Sequence, residues 1–160
     1  MRVAVFAIGR LKAGPERELC GRYAERLKRG GPTIGLEWAG IREGTESRAR
    51  DVDARRREEA DWLRNALPSG AALVLLDERG RDLSSTDFAG AMGRLRDEGR
   101  RDLAFAIGGP DGHDQALRGA SELTLSLGRL TWPHQLIRAM LLEQLYRAAT
   151  ILSGHPYHRE

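Results

Sequence analysis

Three of the chain's four histidines lie between His134 and its end, in company with arginines, an acid and a phenol. His134, Arg138, Glu143 and Arg147 punctuate one long apolar segment, and His155-Pro156-Tyr157-His158-Arg159-Glu160 follows it. An imidazole can accept or return a proton near neutral pH, and a guanidinium can hold a phosphate or favour an anion. A tail that concentrates imidazoles, a phenol and an arginine is equipped to touch a nucleobase or a phosphate through stacking, hydrogen bonds and charge. Plainer roles exist for the same residues. Glu143 and Arg147 are four apart and can simply pair on a helix. His155-x-x-His158 suggests a metal, but two histidines without cysteines or a spaced carboxylate are too few ligands, and no metal is expected.

The second chemical segment is Gly108-Gly109-Pro110-Asp111-Gly112, the densest glycine cluster in the chain. Glycines after a strand let the backbone approach a ligand and present amide donors to it. The cluster is not a G-x-G-x-x-G fingerprint, and it follows the fourth strand instead of the first, so a plain turn is the alternative. No Walker A sequence occurs, which removes the main support for phosphoryl transfer.

These segments sit at the ends of regular elements. Arg2 to Ile8 reads as a buried strand, and Gly14-Pro15-Glu16 opens a helix with Leu19, Tyr23 and Leu27 on one face. Ile34, Leu36 and Trp38 alternate as a second strand, and Val52, Ala60, Leu63 and Leu67 form a narrow stripe on a second helix. Ala71 to Leu76 is a short apolar run suited to a central parallel strand ending at Asp77. Ser84 and Asp87 resemble a capping box for a helix that runs to Gly99. Leu103 to Ile107 gives the fourth strand, a short helix spans about Asp114 to Gly119, and Glu122 to Leu127 gives the fifth strand. The last helix opens at Pro133 and closes at Gly154. Repeated β-α alternation predicts an α/β fold: a mostly parallel sheet with helices on both faces, in one domain over 1–160. Ligands in such sheets bind beyond the strands' carboxyl ends, which selects the loops after Leu76, Ile107 and Leu127.

In the last helix, twelve of the twenty residues from His134 to Ser153 are apolar, and the polar ones form no clean face. One sheet surface cannot cover such a helix, which points to a symmetric homodimer, with a central core helix as the alternative. The net charge is only +3. Arg55-Arg56-Arg57 looks like a nucleic-acid patch, yet Arg42 to Arg64 carries seven arginines and seven acids. A solvated helix laced with charge pairs is the plainer reading. Cys20 is the single cysteine, so no internal disulfide is possible and a reducing compartment is expected. No apolar run approaches the ~20 residues of a membrane span, and the N-terminus lacks a signal peptide's apolar region, so a cytoplasmic chain without membrane partners is expected.

Leu130-Thr131-Trp132-Pro133-His134-Gln135-Leu136-Ile137-Arg138, Glu143-Gln144-Leu145-Tyr146-Arg147-Ala148 and the tail His155 to Glu160 together resemble the ribosomal large subunit methyltransferase H family. The similarity extends to the Gly108 loop, to Leu76 and to the whole length. It implies a SPOUT-type fold with a C-terminal trefoil knot, working as a homodimer. It also implies S-adenosylmethionine as cofactor and methylation of N3 of a pseudouridine in 23S ribosomal RNA within the assembled ribosome. By position, the cofactor pocket would be Leu76, Gly108, Leu127, Gly128, Arg129, Leu130, Thr131 and Trp132. Gly128 stands where the family often has serine, and Trp132 is bulkier than usual. His134 or His158 would accept the N3 proton, with Arg138 favouring the imide anion. Arg147, His155, Tyr157 and Arg159 would hold the RNA. A SPOUT methyltransferase acting on transfer RNA, and a non-catalytic ribosomal RNA-binding module, are the alternative functions.

Overall fold

A computed structural model describes residues 1–159. Its elements are β1 (Arg2–Ile8), α1 (Pro15–Gly30), a 3-10 turn (Gly31–Ile34), β2 (Glu37–Gly44), α2 (Val52–Ala66), β3 (Ala72–Asp82), α3 (Ser85–Asp97), β4 (Asp102–Ile107), α4 (Gln115–Ala120), β5 (Leu123–Ser126) and α5 (His134–Leu152). The five strands form one sheet in the order β2-β1-β4-β3-β5, and every pairing is parallel. This is the expected α/β architecture. Parallel neighbours require crossovers, and the helices that supply them cover both faces.

Strand alternation divides the core. Val74, Leu76, Leu103 and Phe105 face a large cluster shared with Phe88, Met92, Leu142 and Leu145 of α3 and α5. Leu73, Leu75, Ala104 and Ala106 face a smaller one shared with Ala60, Leu63 and Leu117 of α2 and α4. Both faces of β4 and of β3 from Ala72 to Leu76 are therefore dry, and these stretches are uninterrupted apolar runs for that reason. Polar caps mark where helices start. Asp51 accepts the Ala54 N–H at 2.8 Å, Ser84 the Asp87 N–H at 3.0 Å, and Asp114 the Ala116 N–H at 2.8 Å. Helix α5 ends at Ser153 with Gly154 beyond it, where the Gly154 N–H bonds to the Ile151 carbonyl and the His155 N–H to that of Thr150.

Four local readings differ from the sequence expectation. The second strand starts at Glu37, because Gly31 to Ile34 close a 3-10 turn that removes Ile34 from any strand. Helix α2 buries Glu59, Ala60 and Leu63, while Val52 is exposed in its first turn, so the apolar stripe is shorter than expected and shares its buried face with a carboxylate. Pro133 caps α5 from outside the helix instead of occupying its first turn. Strand β3 continues past Leu76 to Asp82 because its polar half, after an irregularity, pairs with β5 through Arg81 to Leu125 and Asp82 to Ser126.

That extension rests on Gly80. A Cβ there would lie 2.7 Å from the Ser126 nitrogen and 2.8 Å from the Leu125 nitrogen, both main-chain atoms that have no side-chain freedom to yield. Gly80→Ala is expected to lower stability by about 1–3 kcal/mol as overpacking, read as a melting temperature roughly 2–12 °C lower at about 2–4 °C per kcal/mol for a chain of this size. An unchanged melting temperature would mean that β3 and β5 do not approach this closely.

Candidate active site

The carboxyl ends of β3, β4 and β5 lie side by side, and the loops leaving them enclose a pocket of about 240 Å³. Leu76 comes from the middle of β3, Gly108 and Gly109 from the loop after β4, and Leu127, Gly128, Leu130, Thr131 and Trp132 from the loop after β5. The three segments selected by the strand-end rule therefore meet, the first of them as the polar half of β3 and not as a loop. His134 and Ile137 of α5 complete the rim. Arg129 is exposed and does not line the pocket, so its expected place there is not seen. Gly128 has φ +108°, a backbone that residues with a side chain rarely adopt, and its carbonyl accepts the Ser126 hydroxyl at 2.8 Å. The glycine at this position thus carries the loop's turn, and the neighbouring serine ties it down.

Polar groups that sequence reasoning did not select line this pocket, as Asp77 and Arg118 do, or brace Leu76 from behind it, as His113 does. His113 is buried, with Nε2 3.1 Å from the Leu76 carbonyl, and burial holds its imidazole below the ordinary histidine value. Asp77 accepts from Arg118 at 2.6 Å. The Nε of Arg118, a pocket-lining residue, is buried with no acceptor among the described residues. A buried donor without a partner is costly, and a ligand acceptor would relieve it.

Helix α2 grips the glycine loop from the other side. Arg55 forms an ion pair with Asp111 at 2.6 Å, and Arg56 donates to the Asp111 carbonyl at 2.9 Å. The Arg55 guanidinium holds the Asp111 carboxyl below its usual range. Buried Glu59 accepts the Ser47 N–H at 3.1 Å, and burial pushes its carboxyl upward. Arg55 and Arg56 belong to the run read as a solvated, charge-laced helix; two of its three members instead hold the loop. The equal number of acids had hidden them, since local neutrality is also what a specific ion pair produces.

Arg138 is corrected more sharply. Its side chain is only 3% exposed and does not line the pocket; it pairs with Glu43 at 2.5 Å and donates to the Ile8 and Gly9 carbonyls at 3.1 and 2.6 Å. It anchors α5 to the end of β1, one helical turn after His134, and is not placed to meet a substrate.

The tail is packed rather than frayed. Tyr157 donates its hydroxyl to Glu143 at 3.0 Å and lies beneath the Arg147 guanidinium, 4.9 Å from it, while Arg147 pairs with Glu143 at 2.6 Å and reaches His158 Nδ1 at 3.2 Å. Burial, with hydrogen bonds to Tyr23 and Glu143, raises the Tyr157 phenol well above its ordinary value. His155 and Arg159 are exposed. Glu160 lies outside the described residues. Within one chain, His158 is thus tied to Arg147, about 20 Å along α5 from His134 at about 1.5 Å per residue. The structure joins His134 to the pocket and gathers Arg147, Tyr157 and His158, but it does not bring the two groups together.

The family model described as "Predicted SPOUT methyltransferase" matches residues 1–158. A Brucella anthropi protein named ribosomal RNA large subunit methyltransferase H is 60% identical over 159 residues, 99% of each chain. Proteins of the same name from Mesorhizobium japonicum and Rhizobium meliloti are 59% and 58% identical over 159 residues, again 99% of each chain.

A neutral buried His113 has a pH signature. Its folded value is lowered, so below about pH 6.5 the unfolded chain binds a proton that the folded one does not; this stabilisation is complete above that pH and is lost as pH falls toward the lowered value. His113→Gln is therefore expected to show a smaller drop in melting temperature than the wild type between about pH 7.5 and about pH 5.5. Parallel pH curves for the two proteins would show that another group titrates there.

Proposed function

The chain belongs to the SPOUT methyltransferase family, and from that premise we propose that it methylates N3 of a pseudouridine in bacterial 23S ribosomal RNA, acting on the assembled ribosome in the cytoplasm. The observation that carries this reading is the meeting of the Leu76, Gly108 and Leu127–Trp132 loops in one pocket with His134 at its rim.

S-adenosylmethionine is the methyl donor in this reading, supplying a methyl group made electrophilic by its sulfonium. Leu76, Ile107, Leu127 and Leu130 offer apolar walls for an adenine, and the main chain at Gly108 and from Gly128 to Trp132 offers donors and acceptors for its edge. The chain must then remove the N3 proton, because the neutral imide is a poor nucleophile, and it must hold the target in line with the methyl carbon. His134, exposed at the pocket rim, is the residue placed to accept that proton.

Arg147, His155, Tyr157 and Arg159 are read as RNA-holding residues, with His158 as a second proton acceptor. Their distance from the pocket within one chain supports a homodimer, in which one protomer's tail serves its partner's pocket. A groove of about 540 Å³ between α1, α3 and α5 supports it too, with Met140 along it and Leu136 and Trp132 left 37% and 36% exposed. The trefoil knot belongs to the same reading.

Labelled S-adenosylmethionine should transfer methyl to assembled ribosomes lacking the modification, and not to stripped 23S RNA or transfer RNA. Label on transfer RNA would favour the other SPOUT activity; no transfer and no cofactor binding would leave a non-catalytic RNA-binding module. His134→Ala is expected to lower kcat by about 10²-fold or more, the scale of general-base catalysis, and to remove one limb of the pH–rate profile. A profile unchanged in both His134→Ala and His158→Ala would assign the proton to water. Met140→Glu should shift the protein to monomers in sedimentation and abolish transfer while the fold persists.

A further inference from the structure

A second cleft, of about 360 Å³, opens where the C-terminal ends of α1 and α5 meet, at the other end of α5 from His134. Arg26, Arg29, Thr33, Tyr146, Ser153 and His155 line it, and no carboxylate among the described residues does. In a chain with 23 acids, a cleft with two guanidinium groups and no acid is a selective arrangement. The C-terminal ends of the two helices contribute about half a negative charge each. Two arginines outweigh that, so the cleft is net positive before His155 is counted.

Arg26 is the unusual member. Its guanidinium lies over the rings of Tyr23 and Tyr146, at 5.5 and 5.6 Å from their centroids, and it forms no ion pair among the described residues. Stacking fixes its plane while leaving its N–H edge uncommitted. Arg29 likewise pairs with no carboxylate among the described residues, although eleven other ion pairs exist. The hydroxyls present the opposite character. Thr33 donates to the Gly30 carbonyl at 2.7 Å and Ser153 to the Thr150 carbonyl at 3.1 Å, so their protons are committed and their lone pairs remain. Charged donors for a phosphate stand beside neutral acceptors for a hydroxyl.

We propose that this cleft binds one ribonucleotide of the substrate RNA strand, with Arg26 and Arg29 on phosphates and the Thr33 and Ser153 oxygens accepting from a ribose 2′-hydroxyl. The volume is within the about 300–1,000 Å³ of small-molecule sites. His155 forms part of both this cleft and the tail, so the cleft extends the RNA-holding surface down α5. This assignment rests on the ribosomal RNA reading above. It adds a docking point for the strand's backbone rather than for the base that reacts, which affects affinity and register and leaves the chemical step alone.

Two measurements test it. The first does not depend on methyl transfer: fluorescence anisotropy of a labelled single-stranded oligoribonucleotide and its 2′-deoxy counterpart. Arg26→Gln/Arg29→Gln should weaken oligoribonucleotide binding about tenfold and lower the slope of log affinity against log salt by about 1.4, at about 0.7 per phosphate. Wild type should prefer RNA to DNA, and Thr33→Val/Ser153→Ala should narrow that preference. The second is steady-state methylation of assembled ribosomes, where the arginine variant should raise KM about tenfold with kcat and calorimetric cofactor affinity as in wild type. Arg29→Gln alone, at an exposed site that leaves the tyrosine stack intact, should show half the salt effect, and Arg29→Lys should restore it. An unchanged salt slope overturns the proposal. So does a raised KM with unchanged oligonucleotide binding, which would place a ribosomal protein in the cleft, and so does a fall in kcat at constant KM. If wild type transfers no methyl at all, the enzymatic reading fails and the anisotropy result still decides the cleft.

Discussion

The position of β3 between β4 and β5 is the constraint on which the site depends. Every neighbour in the sheet is parallel, so all carboxyl ends emerge on one edge, and three loops from distant parts of the sequence have to share it. Parallel pairing also forces each connection through a helix, which covers the sheet and leaves that edge as the place where main chain is available to a ligand. Pairing of Leu76 with Leu125 brings the start of the Leu127–Trp132 loop beside Leu76, and Gly80 lets the extended half of β3 close on the β5 backbone as well. The pocket is a consequence of strand order before it is a consequence of any side chain.

Once strand order has brought the loops together, polar groups hold them, buried at His113 and Arg138 and partly exposed at Arg55, Arg56 and Arg118. Apolar packing resists separation but is indifferent to small slips, whereas a hydrogen bond to a chosen carbonyl or amide fixes register. His113 on Leu76, Arg55 and Arg56 on Asp111, Arg118 on Asp77 and Arg138 on the end of β1 each connect a helix or loop to a strand end. Their cost argues the same way. For Arg138, whose side chain is 3% exposed, losing its partner would leave a buried charge unpaired, whereas replacing a buried pair with apolar residues is often neutral or stabilising. Such groups at one edge of the sheet are better explained by geometry that must be kept than by stability that must be gained.

Much of the fold was legible because local signals and tertiary packing agree. The dry strands β1 and β4, the Ser84 cap and the Gly154 ending each combine a propensity with a burial demand of the same sign. Misreadings occur where one signal stood alone. Ile34, Leu36 and Trp38 alternate as a strand should, but Gly31-Pro32 set a tight turn that wins locally. The polar half of β3 has no apolar pattern because its pairing with β5 is at the sheet edge. For the site, strand-end logic and family resemblance agreed on the pocket, with Arg129 the exception. Neither could find the Arg55–Asp111 clamp, whose members are 56 positions apart. Arg138 shows the converse difficulty: an arginine in an apolar helix signals a special role, but the sequence does not say whether its partner is a ligand or the protein's own carbonyls.

Helix α5 joins these requirements. Its first residue borders the pocket at the strand ends, its second turn is fastened to β1 through Arg138, its middle packs against α1 and α3, and its last turns carry the tail and the basic cleft. A helix clamped at Arg138 cannot slide or rotate without breaking a buried ion pair, so the separation between His134 and the tail is a fixed property of the protomer. A nucleotide at the pocket therefore does not touch the tail of the same chain. In the proposed homodimer the fixed length of α5 becomes useful: the same rigidity that keeps a protomer's two functional ends apart would set the span over which one copy's tail meets its partner's pocket. On this argument the apolar character all round α5 has two causes, core packing along α1 and α3 and a partner along the groove that ends at Trp132.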